Sequence, residues 1–283
     1  MSAGDGDAAS AVAVEQHYGS ADISARILAA LASAGKDPAR LERADLAPFD
    51  EFHGGGIAST RDLARYAGLA PAMHVLDIGC GIGGPARTLA AEFGCRVTGI
   101  DVTREFVRAA KMLTTRVGMQ AQCDFVHGNG GALPWPDASF DAVWSQNMLM
   151  NVADKAGFFA EVARVLRPGG LFAFESVLAG SGEPIHLPCF WAARAELSHL
   201  VTRETLEGQL DSAGLAVTAL EDTTAAVIAQ GHKRRAAVAE AVPTNLSIAV
   251  IVPDDVHQKM DNALRNNEEG RTRTIKGVCR RTG

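Results

Sequence analysis

The sequence of 283 residues lacks the cysteine and histidine patterns of metal centres and disulfide frameworks. Its five cysteines are odd in number, lie far apart and never form a C-x-x-C pair. Its eight histidines show no H-x-x-x-H spacing. We therefore expect neither a disulfide scaffold nor a bound metal, and the cysteine usage indicates a reducing compartment.

The chain also lacks an excess of basic residues and a long apolar run. It has 27 Lys and Arg against 33 Asp and Glu, a formal net charge of −6. Proteins that bind nucleic acids neutralise phosphates with clustered Lys and Arg, so this balance argues against such a partner. No apolar run approaches the ~20 residues that span a bilayer. The acidic start MSAGDGDAAS lacks the order of a signal peptide, so we expect a cytoplasmic protein without a membrane partner.

What the sequence does contain is an alternation of short β-like runs and helical patterns. The predicted strands are His74–Ile78, Arg96–Ile100, Asp124–His127, Phe140–Ser145, Leu171–Val177, Leu215–Leu220 and Thr272–Arg280. Strands that alternate with helices imply right-handed crossovers and a parallel sheet with helices on both faces. The predicted fold is α/β, a Rossmann-like doubly wound sheet that is mostly parallel with an antiparallel last strand.

Two segments stand outside this alternation. The spacing of apolar residues over residues 10–34 predicts one amphipathic helix, and the pattern over residues 35–56 is irregular. We therefore predict an N-terminal helical extension over residues 1–56 and a main domain over residues 57–283. An insertion at about residues 178–201 follows the fifth strand, where this type of fold carries loops over its substrate site. Thr223–Glu240 and Asp254–Glu268 are predicted as further helices.

The strongest local signal is the run VLDIGCGIGG, Val75–Gly84, in which a strand leads through glycines into a helix. Glycines permit a tight turn and a close approach of the backbone to a ligand. N–H groups at the start of the helix favour an anionic or polar ligand. Gly79, Gly81 and Gly84 also fit G-x-G-x-x-G, so the loop predicts an adenosine cofactor and leaves a nicotinamide dinucleotide open. Asp101, at the end of the second strand, could hold a ribose diol in either case.

Three neighbouring features separate these alternatives. Asp77 lies two residues before the first glycine, where a carboxylate could receive an ammonium group but would repel a pyrophosphate. The other two are LPWPDASFDAV, Leu133–Val143, and RVLRPGG, Arg164–Gly170. Together with the glycine loop they resemble the class I S-adenosylmethionine-dependent methyltransferases of small molecules, over roughly residues 45–220.

Two more motifs narrow the resemblance. FDEFHGGG, Phe49–Gly56, and MNVADK, Met150–Lys155, look like the sarcosine/dimethylglycine methyltransferase branch. Tocopherol and ubiquinone-type C-methyltransferases look like more distant relatives. The resemblance implies S-adenosyl-L-methionine as cofactor, S-adenosyl-L-homocysteine as its product and a small-molecule methyl acceptor. It also makes residues 1–56 a lid on the methyltransferase domain, and it leaves a homodimer open.

The same resemblance implies a set of cofactor-binding residues. Asp77 would lie near the amino group of the cofactor, Asp101 at the ribose hydroxyls and Asn129 at the adenine, although the family usually has Asp at this last position. The full set is Tyr18, Asp77, Gly79, Cys80, Gly81, Gly83, Asp101, Val102, Asn129, Gly130 and Gln146.

Methyl transfer is an in-line displacement that needs the nucleophile ~3–3.5 Å from the methyl group. A neutral amine needs no base, whereas a phenol or an activated carbon needs one, most often His. The predicted catalytic residues are His53, Asn151 and His186. Structural alternatives stay open, because the glycines beside His53 could form a flexible joint and the insertion could be a helix packed on the sheet. Candidates for the acceptor pocket are Tyr18, Phe52, His53, Met148, Met150, Asn151, His186, Phe190, Trp191 and His199.

The predicted function is methylation of a small molecule, and the acceptor atom stays open. The nearest branch favours N-methylation of an amine, with Arg194 or Arg203 available for a carboxylate. The apolar segments Pro188–Trp191 and Met148–Met150 instead suit O- or C-methylation of an apolar or aromatic acceptor. Two other classes remain as alternatives. These are an NAD(P)-dependent oxidoreductase and a catalytically silent cofactor-binding protein.

Overall fold

The structure is a computed structural model. It describes residues 3–19, 22–51, 53, 55–240, 246–252 and 255–283, with the backbone alone for residues 3–10 and 237–240. Phe52 and Gly54 of the FDEFHGGG motif lie outside the described residues. A place for Phe52 in the acceptor pocket therefore stays a prediction.

A seven-stranded sheet forms the centre of the molecule. Its strands are β1 (His74–Ile78), β2 (Arg96–Asp101), β3 (Cys123–His127), β4 (Phe140–Gln146), β5 (Leu166–Ala179), β6 (Leu215–Asp222) and β7 (Thr272–Arg281). They lie in the order β3-β2-β1-β4-β5-β7-β6. The first five strands are parallel, and β7 runs antiparallel between β5 and β6. The predicted Rossmann-like fold with an antiparallel last strand is confirmed.

Helices cover both faces of this sheet. In the described residues they are α1 (Ala3–Tyr18), α2 (Ile23–Ser33), α3 (Arg43–Leu46), α4 (Gly56–Ala67), α5 (Gly84–Phe93), α6 (Arg104–Arg116), α7 (Lys155–Val165), α8 (Arg203–Ser212), α9 (Thr224–Glu240) and α10 (Val256–Glu268). Leu63 of α4 and Leu89 of α5 pack with Val75 on one face. Phe158 of α7 packs with Leu76 on the other. Successive strand residues point to opposite faces, so each buried strand serves two cores.

The glycine loop joins β1 to α5 in the way that the sequence predicts. Gly79, Gly81 and Gly83 have φ values of 78°, 52° and 86°, in the left-handed region that side chains rarely enter. Helix α5 begins at Gly84 with Pro85 in its first turn, where a missing N–H costs nothing. The loop therefore turns sharply at the carboxyl edge of the sheet.

The N-terminal region differs from the prediction of one helix over residues 10–34. It contains two helices, α1 and α2, and Asp22 just before α2 has a left-handed φ of 69°. Ile23, Ile27 and Leu31 of α2 are fully buried and belong to one cluster with Phe106 of α6. Helix α2 is thus docked on the main domain, and the division at residue 56 stays a prediction.

A buried ion pair ties the segment before α4 to the sheet. Arg87 of α5 has no exposed surface and donates to the carboxylate of Asp50. The same guanidinium donates to the Ile82 carbonyl and to the Thr114 hydroxyl, each at 2.8 Å. These bonds satisfy a charge that burial would otherwise penalise, and they fix the position of Asp50.

Two long connections leave the sheet at its carboxyl edge. Residues 180–202 join β5 to α8 with a single 3₁₀ turn at Ala195–Leu197, so the alternative of a packed helix there is wrong. Helices α9 and α10 lie between β6 and β7 and form a second insertion. None of the described helices is long and apolar enough to cross a membrane.

Candidate active site

A cavity of about 450 Å³ opens at the carboxyl ends of β1, β2, β4 and β5. The strand order reverses between β1 and β4, and open α/β sheets bind ligands at such a switch point. Helix α1, the connection over residues 180–202 and the β6–β7 insertion also contribute to the lining. The glycine loop and these covering segments thus face one space.

Asp101 is held at the end of β2 by the glycine loop. The N–H of Gly81 donates to its Oδ2 and the N–H of Thr103 donates to its Oδ1, each at 2.8 Å. Burial raises the pKa of Asp101, although these two bonds oppose the shift. These bonds fix the orientation of the carboxylate, which lines the cavity.

Asp77 is the least satisfied acid in the cavity. It is buried, and its Oδ2 has no hydrogen-bond partner among the described residues. Burial raises the pKa of Asp77 well above its usual range, and the nearby carboxyls of Asp101 and Glu51 raise it further. A buried polar atom without a partner is rare in folded proteins. A bound cationic donor would satisfy this atom and stabilise the ionised carboxylate.

The other predicted cofactor residues are placed as follows. The lining includes Tyr18, Gly79, Cys80, Gly81, Val102, Asn129, Gly130 and Gln146. Gly83 is not part of that lining among the residues that the structure describes. A Cβ on Gly83 would lie 2.7 Å from the Phe125 ring and 2.8 Å from the Arg87 guanidinium, so this residue faces the core. Its left-handed φ of 86° suits the turn, and contact between Gly83 and a cofactor stays a prediction.

Tyr18 and Asn151 close the cavity from the side of α1. The Tyr18 hydroxyl donates to Asn151 Oδ1 at 3.3 Å. Asn151 Nδ2 donates to the carbonyls of Trp191 and Leu197 at 2.7 and 3.1 Å. Both amide hydrogens are used by these carbonyls, so Asn151 links its own segment to α1 and to the connection over residues 180–202. Burial raises the pKa of the Tyr18 phenol, which keeps it a donor.

His53 forms a buried pair with Glu51 in the floor of the cavity. His53 Nε2 lies 3.0 Å from Glu51 Oε2, and its side chain is 4% exposed. Thr60 and Thr88 donate to the two oxygens of Glu51, each at 2.8 Å. Burial raises the pKa of Glu51, but the bonds from His53, Thr88 and Thr60 outweigh it and the net pKa lies below its usual value. The other ring nitrogen of His53, Nδ1, is buried and has no partner among the described residues.

Gln146 connects this floor to an acid that the sequence analysis missed. Thr60 Oγ1 lies 3.0 Å from Gln146 Oε1, and Gln146 Nε2 lies 3.4 Å from Glu175 Oε2. Glu175 also accepts bonds from Ser59 and Asn147 and lines the cavity. The available signal was one charged residue within the apolar strand LFAFESVL.

His186, the third predicted catalytic residue, lies outside the cavity lining as far as the structure describes it. Its Nε2 is 2.8 Å from Glu269 Oε2, and Arg265 and Arg271 contact the same carboxylate. The hydrogen bonds from His186, Arg271 and Arg265 lower the pKa of Glu269 to about 2. His186 therefore belongs to an ion network on the rim, and the structure does not bring it to the cavity.

Part of the cavity wall is apolar and includes Met148, Met150, Phe190 and Trp191, four of the residues predicted for the acceptor pocket. This part reaches the glycine loop, since a Cβ on Gly79 would lie 2.6 Å from Met148 Cγ. His199 does not join them among the described residues, and its backbone N–H donates to the Met150 carbonyl at 2.8 Å. This wall suits an apolar ligand, because water in contact with it is easily displaced.

The β6–β7 insertion supplies lining that sequence reasoning missed. Its contribution comprises Val227, Gly231, Arg234, Arg235, Ile248, His257, Met260, Asp261, Ala263, Leu264 and Asn267. The pattern predicted both helices but carried no signal for what they cover. Within the described residues, no group of three or more His, Cys, Asp or Glu side chains is arranged to hold a metal ion.

Comparison with known proteins finds a family model that matches the centre of the chain. Residues 76–174, from β1 to β5, match this model, which is described as a methyltransferase domain. The matched segment contains the glycine loop, Asp77, Asp101 and both downstream motifs, so the predicted resemblance to class I methyltransferases is confirmed.

Curated proteins similar to part of this chain are methyltransferases named for several acceptors. A sterol 24-C-methyltransferase of Gibberella zeae is 39% identical over 110 residues, which are 39% of this chain and 29% of that protein. A botryococcene C-methyltransferase of Botryococcus braunii is 36% identical over 146 residues, 50% of this chain and 38% of that protein. A 2-methyl-6-phytyl-1,4-hydroquinone methyltransferase of a Synechocystis strain is 41% identical over 112 residues, 38% and 34% of the two chains. The chain thus spans between 29% and 38% of the length of these relatives.

Solved structures share the fold over most of the chain. A Haemonchus contortus phosphoethanolamine N-methyltransferase 2 with S-adenosyl-L-methionine has a TM-score of 0.71 at 18% identity, covering 94% of this chain and 61% of that one. A Streptomyces coelicolor geranyl diphosphate C-methyltransferase was solved with Mg²⁺, geranyl-S-thiolodiphosphate and S-adenosyl-L-homocysteine. It has a TM-score of 0.70 at 16% identity, covering 96% of this chain and 98% of that one. A protein assigned as a sarcosine dimethylglycine methyltransferase of Galdieria sulphuraria has a TM-score of 0.64 at 20% identity, covering 79% of this chain and 85% of that one.

Proposed function

We propose that the protein is an S-adenosylmethionine-dependent methyltransferase of a small, mainly apolar molecule. The observation that carries the proposal is the pair of acids beside the glycine loop. Asp101 presents an oriented carboxylate, as a ribose diol requires, and Asp77 holds an oxygen without a partner among the described residues, as an ammonium group requires. A nicotinamide dinucleotide would offer a pyrophosphate near this loop, and Asp77 would repel it once ionised.

The residues present fit this cofactor. When bound, S-adenosylmethionine supplies an electrophilic methyl group on a cationic sulfonium. Gly79 and Gly81 let the backbone approach it, and Asn129 and Gly130 edge the adenine. Tyr18 covers the site from α1, where its ring lies 5.9 Å from the ring of Phe106. The chain's own contribution is thus binding, orientation and exclusion of water.

A carbon or oxygen acceptor has more support in the cavity than a small carboxylated amine. The wall formed by Met148, Met150, Phe190 and Trp191 is apolar, and the relatives in the comparison include sterol and botryococcene C-methyltransferases. Arg194 and Arg203, which the sequence analysis offered for a carboxylate, do not line the cavity in the described part of the chain.

N-methylation of an amine with an anionic group is the second candidate. Arg234 and Arg235 of α9 line the cavity, and either guanidinium could face a carboxylate or a phosphate. The similarity in fold to a phosphoethanolamine N-methyltransferase agrees with this alternative. It differs from the first candidate in needing a charged acceptor.

Calorimetric titration tests the cofactor first. We expect micromolar binding of S-adenosylmethionine and S-adenosylhomocysteine and no binding of NAD or NADH. Binding of NADH alone would refute the proposal. Incubation with S-adenosylmethionine that carries a deuterated methyl group, followed by mass spectrometry, then tests the acceptors. Squalene, a sterol and a prenylated hydroquinone represent the first candidate. Sarcosine and phosphoethanolamine are charged amines and represent the second. Geranyl diphosphate is a charged carbon acceptor, so it shows whether the enzyme selects for charge or for the atom that is methylated.

A further inference from the structure

We infer that Glu51 and His53 form a general-base pair, in which His53 removes a proton from the methyl acceptor and Glu51 positions His53. This inference rests on the proposed function and narrows its substrate class. An acceptor that meets this pair must lose a proton as it gains the methyl group. Phenols and alkenes do so, whereas a tertiary amine does not.

The first support is the way in which Glu51 is fixed. Its two oxygens accept from Thr60 of α4 and Thr88 of α5, so the carboxylate cannot turn away from His53. His53 Nε2 lies 3.0 Å from Glu51 Oε2. An ionised carboxylate accepts hydrogen bonds only, so the proton between them belongs to Nε2. The lone pair of the neutral ring is then on Nδ1.

The second support is the surroundings of Nδ1. This atom is buried, has no partner among the described residues and belongs to a side chain that lines the cavity. A neutral imidazole with one nitrogen on a carboxylate and the other open is the arrangement of a general base. An acceptor in the cavity could supply the missing hydrogen.

Other titratable groups near the pair are less available. Both oxygens of Glu175 on β5 accept bonds from Ser59, Gln146 or Asn147. Asp77 at the end of β1 is the partner proposed for the cofactor ammonium. The guanidinium of Arg87 on α5 is neutralised by Asp50. Glu175 nevertheless lines the cavity, so its variant is compared with that of His53 below.

The step balances without a further reactant. An electron pair of the acceptor forms the bond to the methyl carbon, and the carbon–sulfur bond breaks with its pair left on sulfur. The acceptor's proton passes to His53 Nδ1, and the bond that held it returns its pair to the acceptor. The resulting imidazolium stays beside the Glu51 carboxylate, which stabilises the charge in a buried site.

The first test is made on the ligand-free protein and does not depend on turnover. Nitrogen-15 NMR of labelled histidines, with His53→Gln to assign the signals, reports which ring nitrogen carries the proton. We expect Nε2 to be protonated and Nδ1 to be bare at pH 8. A proton on Nδ1 would overturn the inference even if the protein proves to be a methyltransferase.

The second test uses a proton-losing acceptor from the panel, such as a prenylated hydroquinone or squalene. His53→Gln should lower kcat about 100-fold or more, because a general base contributes ~10²–10⁴-fold. The affinity for S-adenosylhomocysteine should stay close to that of the wild type. Glu51→Gln should lower kcat less and move the acid limb of the pH profile to lower pH, because the imidazolium loses its anionic partner. A merely structural role would not move this limb.

An exposed pair provides the matched control. His232 Nε2 lies 2.9 Å from Glu268 Oε1, with side chains that are 57% and 40% exposed. His232→Gln and Glu268→Gln should leave kcat and the pH profile unchanged. Equal losses of kcat in the variants of the two pairs, or a larger loss of kcat in Glu175→Gln than in His53→Gln, would contradict the inference.

Failure of the inference can be told from failure of the proposed function. If the protein binds the cofactor but methylates only acceptors that lose no proton, the general-base pair is refuted and the proposed function stands. If it does not bind the cofactor, the proposed function is refuted.

Discussion

The cavity floor and the rim each contain a histidine–glutamate pair, and the distance from Nε2 to the carboxylate oxygen is similar in the two pairs. In the floor, His53 and Glu51 are 3.0 Å apart, with side chains 4% and 5% exposed. On the rim, His186 and Glu269 are 2.8 Å apart and 21% and 33% exposed. The floor pair leaves one ring nitrogen buried and unpartnered in the described structure, whereas the rim pair belongs to a network of surface ions. The distance between partners therefore says less about function than what surrounds them.

Asp77 in the cavity and Glu269 on the rim respond to their surroundings in opposite directions. Burial raises the pKa of Asp77 well above its usual range, and Asp101 and Glu51 raise it further. Hydrogen bonds from His186, Arg271 and Arg265 lower the pKa of Glu269 to about 2. Asp77 is thus an acid that a bound cation would stabilise, whereas the cationic partners of Glu269 already keep it ionised.

The largest effect is expected where the floor is anchored. Asp50→Ala leaves the guanidinium of Arg87 buried without its carboxylate, and loss of one partner of a buried pair costs about 3–5 kcal/mol. The free energy of unfolding in urea measures this loss. Glu207→Ala, which removes an exposed partner of Arg203, should cost no more than about 1 kcal/mol. Equal costs would show that the Asp50–Arg87 pair does not anchor the floor.

The next effect concerns cofactor affinity. Asp101→Ala removes the two acceptors proposed for the ribose, and unpaired buried partners cost about 1–3 kcal/mol, or roughly 5- to 150-fold in Kd. Calorimetry with S-adenosylhomocysteine measures the change. Asp124→Ala removes an exposed acid from the neighbouring strand β3 and should leave Kd unaltered. Wild-type affinity in Asp101→Ala would place the ribose elsewhere.

A third prediction uses the raised pKa of Asp77. In the free protein this raised pKa favours the protonated acid, and an ammonium group favours the carboxylate, so cofactor binding should release a proton and weaken as pH falls. At pH 6 the cofactor's own amino group is already charged, since such groups titrate near ~7.7–8.0. Titrations in buffers of different ionisation enthalpy count the protons. Asp77→Asn should abolish the release, and Glu269→Gln should not alter it.

The smallest effects are expected on the rim. His186→Gln should change kcat by no more than roughly twofold, in line with ordinary surface substitutions. Because the pKa of Glu269 is lowered to about 2, its contribution to stability is present above its unfolded pKa and is lost as pH falls towards 2. Acid unfolding followed by circular dichroism should show a weaker pH dependence in this window for Glu269→Gln. A large loss of kcat in His186→Gln would return this residue to the active site.

Much of the fold and half of the site could be predicted from the sequence. Strand periodicity located all seven strands, although β5 begins at Leu166 and not at Leu171, because its first residue still pairs with Phe140. The glycine loop, Asp77 and Asp101 were found because they are close together in sequence or directly follow strands. Glu175 was missed because one charged residue in an apolar strand does not show that its side chain faces a cavity.

The sequence by itself determined the order of the elements, the glycine turn and the acids beside it, because backbone preferences and hydrophobic periodicity act over a few residues. Only the tertiary structure decided which histidine is buried. His53 is paired with Glu51 in the interior, whereas His186 meets Glu269 at the surface. It also brought α9 and α10 over the cavity. Burial and desolvation depend on packing between residues far apart in sequence, and no local pattern encodes them.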